Sequence, residues 1–113
     1  MKNSRVYLIH IRDCIDKVEA YTAEGKVAFL ADAKTQDAVI RNLEIIGEST
    51  QRLPDEWKVA HPEIEWRRIV DFRNFLAHQY LDVDLDIVWN VVENYLPELK
   101  TVIELISQEF WDG

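Results

Sequence analysis

The sequence has one cysteine, three glycines and three prolines among 113 residues. A single cysteine excludes an internal disulfide framework and any multi-cysteine metal site. So few glycines and prolines leave little material for the turns of an all-β fold, so we expect few, long elements. No window approaches 18 uninterrupted apolar residues, which argues against a membrane span. The first residues lack the apolar core of an export signal, and together with an unpaired Cys14 this predicts a cytoplasmic protein.

Basic residues are also scarce, and their distribution is uneven. The net charge of −8 argues against indiscriminate binding to nucleic acid, because phosphate backbones favour basic surfaces. Residues 81–113 hold one Lys and eight acids, whereas residues 64–80 hold three Arg and two acids. The acidity therefore belongs mainly to the C-terminal third, as a solvated helix face or as a docking surface for a basic partner.

Apolar residues recur every three or four positions, which predicts helices. Main helices are expected over about residues 4–21, 35–53 and 63–78 and from 84 onwards, with a short one within 54–60. Ser4 and Asp84 are suited to N-caps. Gly47 inside the second helix predicts a close helix contact, and Pro97 predicts a kink or a break.

The length predicts one domain, residues 1–113. The pattern predicts an all-α fold, a small bundle of four to five helices. Several helices are apolar over more than half their circumference, which a bundle of this size cannot bury alone. We therefore expect a homodimer.

The segment RNFLAHQY carries the chemistry. In a helix, side chains three or four residues apart form rows along the surface. One row contains Arg73, Ala77 and Tyr80, and the neighbouring row contains Asn74 and His78. Arg can clamp a phosphate and stabilise its developing charge, and His can transfer a proton near neutral pH. RNA supplies its own nucleophile, the 2′-OH, so this edge suits metal-free cleavage of a phosphodiester. The simpler interpretation is a surface ion pair and a helix C-cap.

Only one histidine lies on this edge, although cleavage ideally uses one base and one acid. A symmetric dimer with two such edges face to face would supply two copies of His78 and Arg73. Arg67 and Arg68 stand on the same helix and could contact RNA phosphates. In the simpler interpretation they pair with nearby acids: Glu63, Glu65 or Asp71.

Other candidate ligands are weaker. His10 is interpreted as packed or interfacial and His61 as a loop residue. Zinc spacing is absent, so neither a metal nor a cofactor is predicted. Cys14 suits a small buried position, and the tryptophans suit core or interface positions.

The pattern R-x4-H-x-Y resembles that of HEPN-domain proteins of the HepT type, the toxin partners of minimal nucleotidyltransferases. The resemblance extends over nearly the whole chain, through the blocks RDCIDKVEAY, AVIRNLEIIGESTQRLP, HPEIEWRRIVDFRNFLAHQY and VWNVVENYLPELKTVI.

This resemblance implies an up-and-down helical bundle that dimerises, with the two motifs meeting in a cleft at the dimer interface. It implies a metal-independent ribonuclease toxin with Arg73 and His78 catalytic and Asn74 supporting them. Tyr80 would be the hydroxyl that a nucleotidyltransferase antitoxin modifies with AMP. Gln79 stands where a small residue is common, and Asp71 with its neighbour Phe72 also departs from the pattern. The alternatives are a non-catalytic nucleotide- or substrate-binding partner of such a nucleotidyltransferase, or an acidic structural dimer.

Overall fold

A computed structural model describes residues 3–78 and 82–110, and every regular element in these ranges is helical. The helices are α1 (Arg5–Tyr21), α2 (Lys26–Ala31), α3 (Ala33–Gln51), α4 (Asp55–Val59), α5 (Trp66–His78), α6 (Leu85–Asn90) and α7 (Leu96–Phe110), with a π-helical turn (Val91–Tyr95) joining the last two. The all-α prediction is confirmed. Four long helical segments carry the bundle, and α2 and α4 are short additions.

The central element is α3, which packs against both α1 and α5, while α1 also packs against α7. The core consists of the apolar stripes of these helices, and its most completely buried members are Leu8, Ile11, Ile15, Val18, Phe29, Val39, Leu76, Val88, Ile103 and Ile106. Lys100 on α7 donates to a carboxylate oxygen of Glu19 on α1 at 2.9 Å. The helix α5 packs mainly against α3.

The helix starts follow local capping chemistry. Asp84 caps α6 as predicted, accepting from the backbone N–H of Asp86 and of Ile87. Ser4 occupies the N-cap position of α1 but makes no side-chain cap, and Asn3 accepts from the Arg5 N–H instead. The prediction missed Asp32, which caps α3, so α3 begins before Thr35.

Side-chain hydrogen bonds hold the loop before α5 in place. α5 begins at Trp66, three residues later than predicted, because residues 61–65 form turns. The indole N–H of Trp66 donates to the carbonyl oxygens of Lys58 and His61, both at 3.0 Å. This fixes the start of the helix that carries the motif.

Pro97 changes the backbone hydrogen bonding of the last helical segment, but the segment continues past it. Proline has no N–H to donate to the carbonyl four residues earlier, that of Glu93. A π-helical turn, Val91–Tyr95, precedes α7, whose second residue is Pro97.

Across the two described ranges, no helix combines the length and the apolar character that crossing a bilayer would require.

Candidate active site

Arg73 lies where α5 crosses α3 against Gly47. A methyl group built on Gly47 would lie 2.7 Å from the Cβ of Arg73 and 2.9 Å from its Cγ, both closer than carbon atoms approach. The two helices are therefore in contact here because residue 47 has no side chain. This confirms the close helix contact predicted at Gly47.

The guanidinium of Arg73 is held by a carboxylate on α3. Its Nη2 donates to Oε2 of Glu48 at 2.9 Å, and the other oxygen of Glu48 accepts from Nη2 of Arg52 at 3.1 Å. Hydrogen bonds to Glu48, and then to Tyr7, raise the pKa of Arg52. One carboxylate is thus shared by two guanidinium groups, so the trio keeps one net positive charge.

This trio is open to solvent. The side chain of Arg73 is 36% exposed and that of Glu48 is 42% exposed. Ion pairs this exposed contribute only about 0–1 kcal/mol, because water screens them. A phosphate could therefore compete with Glu48 for Arg73 at small cost.

The next two motif residues lie along the same edge of α5. Oδ1 of Asn74 accepts from Nη1 of Arg73 at 3.4 Å, the weak end of hydrogen-bond geometry. His78 is the last residue of α5 and is exposed. Among the described residues, no hydrogen-bond partner is found for the imidazole of His78.

Two residues with predicted roles lie outside the described ranges. Tyr80, the predicted modification site, and Gln79 both lie between residues 78 and 82. Their predicted roles stay predictions.

Arg67 and Arg68 have other partners. Arg67 pairs with Asp71 at 3.2 Å, while Arg68 pairs with Glu65 at 3.5 Å and lies over the ring of Tyr95 at 5.6 Å. With 3.6 residues per turn, Arg68 and Arg73 lie about 140° apart around α5. The phosphate contacts predicted for Arg67 and Arg68 stay predictions, and these local pairs match the simpler interpretation of both residues.

Sequence reasoning missed Glu48 as the partner of Arg73. Asp71, the carboxylate that lies two residues before Arg73 in the sequence, binds Arg67 instead. The available signal was the Ile-Gly-Glu step, because a close approach at Gly47 places its neighbour beside whatever crosses there.

Metal ligands are not clustered at this edge. Within residues 3–78 and 82–110, no group of three or more His, Cys, Asp or Glu side chains is placed to hold a metal ion. The chemistry of this edge is that of a guanidinium, an amide and an imidazole, which suits contact with a phosphate and transfer of a proton.

The family model described as "Ribonuclease HepT-like" matches residues 11–106. The chain belongs to the HepT-like ribonuclease family. The match includes the helices that build the site edge, α3 and α5, so the family assignment covers the candidate site itself.

Several curated proteins are similar over nearly the whole HepT-like chain. The "Probable ribonuclease HepT" of Thermococcus cleftensis is 43% identical over 110 residues, covering 96% of this chain and all of that protein. Two proteins of Methanocaldococcus jannaschii are 38% and 36% identical. The first is named a gamma-glutamylcyclotransferase and putative RNase, with 96% of this chain and 49% of that protein covered. The second is named a putative RNase, with 94% and 89% covered. No solved structure gives a significant match.

Proposed function

We propose that this protein is a metal-independent endoribonuclease that acts as a homodimer. Membership of the HepT-like ribonuclease family supports an RNase function. The observation that carries the proposal is the edge of α5, where a solvent-accessible Arg73 lies with Asn74 and an exposed His78. These groups suit cleavage of an RNA phosphodiester, because the neighbouring ribose supplies the nucleophile, its 2′-OH.

The proposed reaction is a transesterification. One His78 takes the proton of the 2′-OH, and the 2′ oxygen forms a bond to phosphorus as the bond from phosphorus to the 5′ oxygen breaks. Arg73 stabilises the charge that develops on the phosphoryl oxygens. The His78 of a second copy protonates the departing 5′ oxygen, leaving a 2′,3′-cyclic phosphate and a 5′-OH.

A dimer is proposed because the reaction needs an acid and a base, whereas each α5 edge carries one imidazole. Apolar surface supports the same proposal. A groove of about 350 Å³ lies between α5 and the last helices, with a largely apolar lining that includes Ile69, Phe72 and Val91. Such surface is typical of sites that bind a partner.

The proposed regulation is modification by a nucleotidyltransferase, as in a toxin–antitoxin pair of the type VII kind. AMP on the hydroxyl of Tyr80 would bring its own phosphate close in sequence to the motif. That phosphate could compete with an RNA phosphate for Arg73. Transfer of AMP from ATP to this hydroxyl releases pyrophosphate. Tyr80→Phe should keep its nuclease activity but gain no AMP when incubated with the antitoxin and ATP.

The deciding experiment is cleavage of single-stranded RNA in EDTA by the purified protein, by His78→Ala and by Lys34→Gln as a surface control. We expect cleavage by the wild type and the control, a 2′,3′-cyclic phosphate product and no cleavage by His78→Ala. Equal cleavage by all three proteins would assign the activity to a contaminant or another site. No cleavage by any of them, together with tight binding to the nucleotidyltransferase, would favour the non-catalytic partner function.

A further inference from the structure

A second cleft shares Arg73 and Glu48 with the candidate active site, and its other residues have no role in the proposed reaction. It is a cleft of about 310 Å³ between α1 and α3, at the lower end of the size range of small-ligand pockets. Its lining combines charged and polar groups with apolar surface and consists of Tyr7, His10, Arg41, Glu44, Ile45, Glu48, Ser49, Arg52 and Arg73.

The charge of this cleft opposes that of the whole protein. Three arginines against two glutamates give it one net positive charge in a chain whose net charge is −8. Glu48 is engaged by Arg52 and Arg73. Within residues 3–78 and 82–110, Arg41 has no ion-pair partner, so its charge is available to an anion.

An aromatic platform forms one wall. The guanidinium of Arg52 lies over the ring of Tyr7, 6.0 Å from its centroid, and the ring of His10 meets Tyr7 edge-on at 6.3 Å. Tyr7 is half-buried, which limits its rotation, whereas His10 is exposed. Unstacked RNA bases are held in this way, between aromatic rings and arginine planes.

Position along α3 connects this platform to the site edge. Arg41 lies seven residues before Glu48, about 10 Å along the helix axis. Arg73 reaches the same stripe of α3 from α5 through Glu48. An RNA phosphate at Arg73 would therefore have its neighbouring nucleotide within reach of the cleft.

We propose that the α1–α3 cleft is an RNA subsite that binds the nucleotide next to the cleaved phosphate, with its base stacked on the Tyr7–Arg52 pair and its own phosphate held by Arg41. The inference rests on the proposed ribonuclease function. It adds a binding role for α1 and assigns His10, which sequence analysis interpreted as packed or interfacial, to an exposed wall of the subsite.

Binding to a catalytically inactive protein tests the subsite separately from cleavage. In a His78→Ala background, fluorescence anisotropy with a labelled single-stranded RNA measures the Kd over a series of salt concentrations. We expect Arg41→Gln to weaken binding about three- to tenfold and to lower the slope of log K against log salt by about 0.7. Lys34→Gln removes a charge from α3 outside the cleft and should leave the Kd unchanged.

The stacking role has its own pair of variants. Tyr7→Phe keeps the ring and removes only the hydroxyl that hydrogen-bonds to Arg52, so it should weaken RNA binding less than Tyr7→Leu, which should weaken it about tenfold or more. Circular dichroism and size-exclusion chromatography of each variant establish that fold and assembly are unchanged. If Tyr7→Leu fails to fold, the Arg41→Gln and Lys34→Gln comparison decides the proposal.

The two proposals fail in different ways. Cleavage by the wild type with a Kd that neither Arg41→Gln nor Tyr7→Leu alters would overturn the subsite and leave the ribonuclease intact. Absence of both cleavage and RNA binding would overturn both proposals. If Arg41→Gln and Lys34→Gln weaken RNA binding equally, the effect of Arg41 is a general electrostatic one. That result would also overturn the subsite.

Discussion

Gly47 and Arg73 are in direct contact across the crossing of α3 and α5, with no room for even a methyl group between them. The glycine therefore sets how closely the motif helix approaches the central helix. It also sets the position along α3 at which the guanidinium of Arg73 binds Glu48. A backbone position fixed by packing thus controls the geometry of a charged group at the surface.

Gly47→Ala should destabilise the protein and lower its activity. Alanine gains about 1 kcal/mol of helix propensity over glycine. The contact at 2.7 Å forces α5 outward, and overpacking of this kind costs about 1–3 kcal/mol. Urea unfolding should show a net loss of stability, and RNA cleavage should fall by more than that loss explains.

Gln51→Ala is the matched control for this experiment, because it changes helix propensity on an exposed position of α3. It should be neutral or slightly stabilising. A Gly47→Ala protein that is more stable than the wild type and equally active would show that α5 shifts freely at this crossing.

Glu48→Ala separates positioning from stability. The ion pair with Arg73 is exposed, so the free energy of unfolding should change by less than about 1 kcal/mol. Loss of the carboxylate leaves Arg73 without its fixed partner, and misplacement of a catalytic group costs up to about a hundredfold in rate. We expect kcat for RNA cleavage to fall about tenfold or more while KM stays equal or falls, because one negative charge has left the site.

Asp37→Asn controls for loss of a negative charge from an exposed position on α3 and should cleave RNA like the wild type. A Glu48→Ala protein with unchanged kcat would remove the positioning role from Glu48. The proposed roles of Arg73 and His78 would then stand without it.

The sequence predicted the bundle well because helical periodicity and caps are local signals. The stripes of α1, α3 and α5 follow from spacing alone, and Asp84 caps α6 by its own side chain. The α5 edge could also be predicted, because the positions of Arg73, Asn74 and His78 follow from the period of one helix.

Long-range partners could not be predicted in this way. Glu48 lies 25 residues before Arg73, and Glu109 lies 48 residues after His61. Which charges meet depends on how the helices cross, and that is set by packing rather than by any local pattern. The platform of Tyr7 and Arg52 was missed for the same reason, since it joins two different helices.

The contribution of His61 to stability should fall as pH rises through the pKa that this imidazole has in the folded protein. This imidazole is only 6% exposed and lies between Glu63, at 3.1 Å from Nδ1, and Glu109 at the end of α7. Hydrogen bonding to Glu63, followed by that to Glu109, raises the pKa of His61 above its usual value. A raised folded-state pKa stabilises the protein fully below the unfolded pKa, and the contribution is lost as pH rises through the folded pKa.

His61→Gln should therefore lower Tm clearly at pH 6 and much less at pH 9. Hydrogen bonds to charged groups contribute about 1.5–3 kcal/mol, which sets the scale of the effect at pH 6. His10→Gln, a change at an exposed histidine of α1, serves as the control and should have little effect at either pH. Equal losses for His61→Gln at the two pH values would mean that packing, rather than charge, accounts for the contribution of His61.

Subunit mixing tests whether two copies complete one site. If each reaction uses both His78 side chains of a homodimer, a large excess of His78→Ala protein should trap wild-type subunits in mixed dimers and reduce the cleavage rate per wild-type subunit. Lys34→Gln added in the same excess should raise the total rate instead, because it supplies active subunits. Mass spectrometry shows when the subunits have exchanged. If the His78→Ala protein then leaves the rate per wild-type subunit unchanged, one α5 edge cleaves RNA alone. The proton of the leaving oxygen would then have to come from another group or from water.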